Sequence, residues 1–183
     1  SGGTAALDLS FNPFADVSGT GSNGPLSLIS GDGGGRLFVG GQFSQLSQGV
    51  IRLGLAALNA DGSVDALSAL TEALVPGNVA NLAFDPATGS AYVQGDFLKV
   101  NGVPRQGLIR LLASGAVDGG FRPAPTRYSA VAYASNAVYA ADNDARLLRK
   151  LDRLTGDPVP GYTPVAYSNS ISQIRIEGEH AYL

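Results

Sequence analysis

The sequence has no cysteine, no methionine and no tryptophan, and one histidine among 183 residues. Without cysteine there is no disulfide, no thiol nucleophile and no thiolate-bound zinc or iron–sulfur centre. Redox compartment therefore leaves no mark on the composition. One histidine, His180, cannot build a histidine-rich metal site. Its neighbours Glu179, Ala181 and Tyr182 supply no nucleophile, and no Gly-x-Ser-x-Gly elbow occurs anywhere in the chain. His180 reads as a strand residue. Charged residues are scarce at 15%, and no apolar run approaches the ~18 residues of a membrane span. No basic run is interleaved with aromatics, which argues against a nucleic-acid partner. The chain opens on Ser1 without a signal peptide or an initiating methionine, as a processed or trimmed polypeptide would.

What is present suits a β protein. Hydrophobic residues reach 44%, enough for a core and too many for disorder. The 25 glycines and 10 prolines punctuate short apolar runs, the pattern of many strands joined by tight turns. The net charge of −3 hides an asymmetry. Residues 1–98 carry eight acids against Arg36 and Arg52, whereas residues 99–175 carry ten bases against five acids. A basic half admits a polyanion partner, but charge spread over alternate strand positions is the simpler reading.

The chain repeats itself. Leu37-Phe38-Val39-Gly40-Gly41-Gln42-Phe43 aligns with Ala91-Tyr92-Val93-Gln94-Gly95-Asp96-Phe97 at an offset of 54, and 58–65 aligns with 111–118 at an offset of 53. Asp118-x-x-Phe121-x-Pro123 has a twin at Asp8-x-x-Phe11-x-Pro13. The aromatics Phe38, Tyr92, Tyr139 and Tyr182 recur at spacings of 54, 47 and 43. Each repeat begins with an apolar strand, at 26–29, 79–84, 130–134 and 171–176. Tight turns follow at 31–35, 85–89, 135–136 and 177–179, where Gly, Asn and Asp supply positive φ or local hydrogen bonds. A second strand carries the aromatic. A third lies near 55–58, 108–112 and 147–151, and a polar turn then leads to a short fourth segment ending near Pro13, Pro123 or Pro164.

Four short antiparallel strands per repeat make a propeller blade. The expected fold is all-β, a partial β-propeller with a repeat of 41–54 residues. Its blades would cover 26–77, 78–128 and 129–169, with the end of a preceding blade in 1–25 and the start of another in 170–183. Residues 63–75 fit least well, because Val64, Leu67, Leu70 and Leu74 fall at helical spacing. Irregular structure on a blade's outer edge is expected there.

The set Gln94-Gly95-Asp96-Phe97, Asn101-Gly102-Val103-Pro104-Arg105, Ile109-Arg110-Leu111 and Asp118-x-x-Phe121-x-Pro123 resembles the delta-60 repeat family of predicted bacterial β-propellers. The preceding copy keeps Gly40-Gly41-Gln42-Phe43 and 59–65 but lacks the Asn-Gly-x-x-Arg and Phe-x-Pro parts. The third copy, with 151–156 and Tyr162-x-Pro164, departs further. The resemblance is specific over 26–125. It implies a large secreted or surface-attached bacterial protein and carries over no catalytic set.

Candidate sites are few. Gly19-x-Gly21-x-x-Gly24 spells a dinucleotide fingerprint, but Pro25 and a strand follow it instead of a helix. Asn59-x-Asp61-Gly62-Ser63-x-Asp65 spaces oxygen ligands like a calcium loop without its closing glutamate, and Asp142-Asn143-Asp144 is a second acidic turn. Both read as turns. Asp32 and Asp85 sit in equivalent hairpins, where turn formation explains them better than a glycosidase pair. The recurrent aromatics are expected in the core. No catalytic, cofactor or metal residue is assigned; Asp96, Asn101 and Arg105 are the ligand-binding candidates.

These readings favour a non-catalytic propeller segment of a bacterial extracellular or cell-envelope protein, acting in adhesion or assembly. A carbohydrate-binding propeller is the alternative, and a propeller glycoside hydrolase or lyase ranks below it. Expected partners are a protein or further blades of the same polypeptide, with a glycan under the alternative. A propeller takes about 4–8 blades, so either a longer chain or several associated copies would complete the ring.

Overall fold

The computed structural model describes residues 23–31, 37–43, 55–59, 61–65, 74–75, 79–100, 103–178 and 180–183. Among these, all regular structure is β and every strand pairing is antiparallel. β1 (Asn23–Gly31), β2 (Leu37–Phe43) and β3 (Leu55–Leu58) form the first sheet in that order. A second sheet joins β5 (Val79–Asp85), β6 (Ser90–Gly95) and β9 (Leu108–Leu111). Between its last two strands, β7 (Lys99–Val100) and β8 (Val103–Pro104) form a side ribbon that pairs back to β4 (Leu74–Val75). The third sheet is a four-stranded meander of β10 (Tyr128–Ala134), β11 (Ala137–Asp142), β12 (Leu147–Asp152) and β13 (Val165–Ala166). A hairpin of β14 (Arg175–Glu177) and β15 (His180–Tyr182) follows.

Local chemistry explains the hairpins. Ala134 pairs with Ala137, leaving a two-residue loop in which Ser135 (φ 49°) and Asn136 (φ 61°) are both left-handed. That is the type I′ turn whose twist matches the flanking strands, and asparagine tolerates it best among residues with a side chain. At the equivalent turn of the second sheet the Asp85 carboxylate accepts hydrogen bonds from the Ala87 amide (3.1 Å) and the Thr88 hydroxyl (2.8 Å).

The corner after the third strand is built alike three times. Single bridges join Leu58 to Val64, Leu111 to Val117 and Leu151 to Pro158. In each corner a glycine takes positive φ: Gly62 at 84°, Gly115 at 81° and Gly156 at 81°. The Asp65, Asp118 and Val159 amides then donate to the carbonyls of Ala57, Arg110 and Lys150. The sequence repeat is thus a structural repeat.

The sheets pack face to face in chain order. Phe38 of β2 lies in one buried cluster with Val79, Ala91 and Val93 of the second sheet, its ring 6.0 Å from that of Phe84. Tyr92 of β6 lies with Val131 and Val138 of the third sheet and stacks on Tyr133, 5.7 Å away at 12°. Tyr139 of β11 packs against the cluster of Ile171 and Ile174, with Ile176 beside it. At the first two steps the second-strand aromatic meets the penultimate residue of the next sheet's first strand, and at the third Tyr139 and Ile176 pack against one shared cluster. Core packing therefore explains Phe38, Tyr92 and Tyr139, while Tyr182 is exposed at 54%.

Four strands occur together only in the third of the described sheets. In the second sheet the fourth position shrinks to the Leu111–Val117 bridge. The chain then runs through Gly119, Gly120, Pro123 and Pro125, which are poor ladder formers. Of the segment 63–75, Val64 makes its bridge and Leu74–Val75 forms β4; residues 66–73 lie outside the described residues. The fourth first-strand is shorter than the sequence suggests: Ile171 and Ile174 are buried, but pairing starts at Arg175.

Candidate functional site

The junction of the second and third sheets is where polar groups gather, and it is closed differently at its two ends. At one end the Gln94 amide, buried in β6, donates to the Tyr128 carbonyl (2.6 Å) and accepts from Asn81 (3.1 Å), whose amide also reaches the Ser129 carbonyl (3.3 Å). At the other end the Tyr92 hydroxyl donates to the Arg153 carbonyl (2.8 Å), and Arg153 pairs with Asp85 at 3.3 Å. Between them Tyr92 meets Phe121 edge-on at 5.5 Å.

The buried carboxylates here are committed to their neighbours. Burial alone would raise the Asp85 pKa. The Thr88 and Tyr133 hydroxyls, the Ala87 amide and Arg153 outweigh it and hold the group below its ordinary 3.8. Asp142 behaves likewise: burial opposes, but the Ala145 amide, the Thr126 hydroxyl and Arg149 keep it low. Desolvation pushes the Tyr128 hydroxyl up to about 12, so it stays protonated. Asp118 pairs with Arg110 at 2.8 Å and caps the Gly120 amide.

Beside the Gln94 end lies a cleft of about 320 Å³, walled by Asp96, Gln106, Arg127, Tyr128 and Asn143 among others. A smaller hollow of about 180 Å³ shares Gln106 and is bounded by Arg105 and Arg122. Of the ligand-binding candidates, Asp96 is exposed on the cleft, Arg105 lines the hollow, and Asn101 lies outside the described residues. Gln106, Arg122 and Arg127 escaped sequence reasoning, whereas Asn143 stood in it as part of the acidic turn 142–144. Of the three, Arg122 alone had a signal, standing within the repeated Phe-x-Pro ending.

The acidic turns resolve as turns. Asp61 accepts from the amide and hydroxyl of Ser63, and Asn59 donates to the same hydroxyl. Asp144 is engaged by Thr126 and by Arg127 at 2.6 Å. No group of metal-ligating side chains occurs among the described residues. Gly24 enters β1 rather than a helix, while Asp32, Gly19 and Gly21 lie outside the described residues. His180 is exposed in the last hairpin.

A family model described as "Domain of unknown function (DUF5122) beta-propeller" matches residues 35–67 and 88–121. These segments contain the two copies related by offsets of 53 and 54, which supports a β-propeller repeat. A solved structure, the computationally designed Ika4 protein, is similar with a TM-score of 0.59 at 10% identity, over 96% of this chain and 91% of that one. This likeness concerns the fold alone. No curated protein matches the sequence.

Proposed function

We propose that the chain is a segment of a bacterial β-propeller of the delta-60 type, serving as a non-catalytic structural or protein-interaction module outside the cell or on its envelope. Its blades would be the repeats 26–77, 78–128 and 129–169. The observation that carries this reading is the use of polar groups at the junction. Asp85, Asp142 and Asp118 are closed by arginines and backbone amides. A glycosidase needs one carboxyl with a raised pKa to donate a proton, and Asp85 and Asp142 are shifted the other way. The Arg153–Asp85 pair joins two sheets, and the other two pairs brace turns and strands within one repeat.

The test is protease shaving of intact cells expressing the natural gene, with hydrolase and lyase assays on the purified chain. Repeat peptides released from intact cells, with no turnover, are the expected result. Protein confined to the cytosolic fraction, or turnover abolished by Asp85→Asn, would overturn the reading. The carbohydrate-binding alternative is favoured by one feature, the polar cleft bearing Asp96, Arg127 and Asn143. Glycan-array binding lost on Asp96→Ala would support it.

A further inference from the structure

We infer that the hollow between Arg105 and Arg122 is a binding site for an oxyanion, a carboxylate or a sulfate or phosphate group carried by a larger molecule. Of the eight described arginines, Arg110, Arg127, Arg149, Arg153 and Arg175 form ion pairs. Arg146 donates to the Ser168 carbonyl at 2.9 Å and stands apart from the hollow. Arg105 and Arg122, which have no ion pair among the described residues, both line it. Arg105 Nη1 donates to the Pro104 carbonyl at 3.0 Å and Arg122 Nε to the Gly119 carbonyl at 2.8 Å. The Arg105 Nε–H is buried without an acceptor. A guanidinium offers five donors in a fixed fork, so most of this capacity is unused by the protein.

The surroundings sharpen the chemistry. The other lining residues are Gln106, Leu108 and three prolines, Pro104, Pro123 and Pro125, with no acid among them. Leucine and proline side chains carry no polar atom, so these walls add no side-chain acceptor that competes for the guanidinium donors. Two cations on one small hollow repel each other, and an anion between them relieves that repulsion while accepting forked hydrogen bonds. Size narrows the ligand. At about 180 Å³ the hollow is below the ~300–1,000 Å³ of pockets that enclose whole small molecules. It fits one charged group and its attachment.

The two arginines come from different parts of the repeat, Arg105 just after β8 and Arg122 in the Phe-x-Pro ending. The site therefore depends on the fold rather than on a local motif. It is independent of the scaffold reading: a module with or without this site joins its sheets in the same way.

The experiment follows the arginine Nε–Hε resonances of the full chain during titration with sodium sulfate, phosphate and glucuronate at constant ionic strength, with glucose as a neutral control. Saturable shifts at Arg105 and Arg122, absent at Arg175 and absent with glucose, are expected. Sulfate or phosphate acting alone would identify a tetrahedral ester group, and glucuronate acting alone a carboxylate. Arg122→Gln should weaken binding roughly tenfold, as loss of a charge-assisted hydrogen bond implies. Shifts that are unsaturable, equal at every arginine, or unchanged in Arg122→Gln would overturn the proposal.

Discussion

Gly156 and Pro123 meet where the second repeat hands the chain to the third. Gly156 has a φ of +81°, and a methyl group built on it would fall 2.6 Å from the Pro123 nitrogen. The Arg122 amide donates to the Thr155 carbonyl at 2.7 Å in the same place, so the clash falls on backbone that cannot swing aside. Gly156→Ala is expected to destabilise the chain by about 1–3 kcal/mol, combining left-handed strain with lost packing. Urea unfolding measures it. Gly161, also at positive φ (+77°) but with open space around it, should lose less on the same change, about 1 kcal/mol.

At the scale of the element, the turns and seams carry the stability, and pH exposes them. Asp85 and Asp142 have folded pKa values below the ordinary 3.8. Their contribution is therefore complete above the unfolded pKa and is lost as pH falls through the folded one. Stability should be flat above about pH 5 and fall steeply below about pH 4. Asp142→Asn should lower the plateau and flatten the acid limb, read as unfolding midpoint against pH. An acid limb of unchanged slope in that variant would contradict the assignment.

Much of this element structure was legible. The turn at Ser135-Asn136 follows from backbone chemistry, and the third strands follow from short apolar runs. The side ribbon of β7 and β8 was not legible, because two-residue strands leave no period to detect. The fourth strand was over-read in the second repeat, where proline and glycine break the ladder. The ligand hollow was half legible: Arg105 stood in a motif, but its meeting with Arg122 requires the third dimension.

On the scale of the whole molecule, one rule links the sheets. In two successive sheets an aromatic on the second strand packs forward onto the penultimate residue of the next sheet's first strand, Phe38 onto Phe84 and Tyr92 onto Tyr133. The sequence repeat displays the aromatics but not their targets, because Phe84 and Tyr133 stand in otherwise dissimilar strands. Such seams accumulate sheet by sheet, so stability should be a sum of neighbour interactions, as in repeat proteins. The most direct test is a double-mutant cycle on Tyr92→Ala and Tyr133→Ala, with Tyr92→Ala and Tyr139→Ala as the comparison across two seams. The account predicts a coupling of about 0.5–1.5 kcal/mol for the first pair and additivity within about 0.5 kcal/mol for the second. Additivity in the first pair would mean that these sheets do not pack in the order proposed.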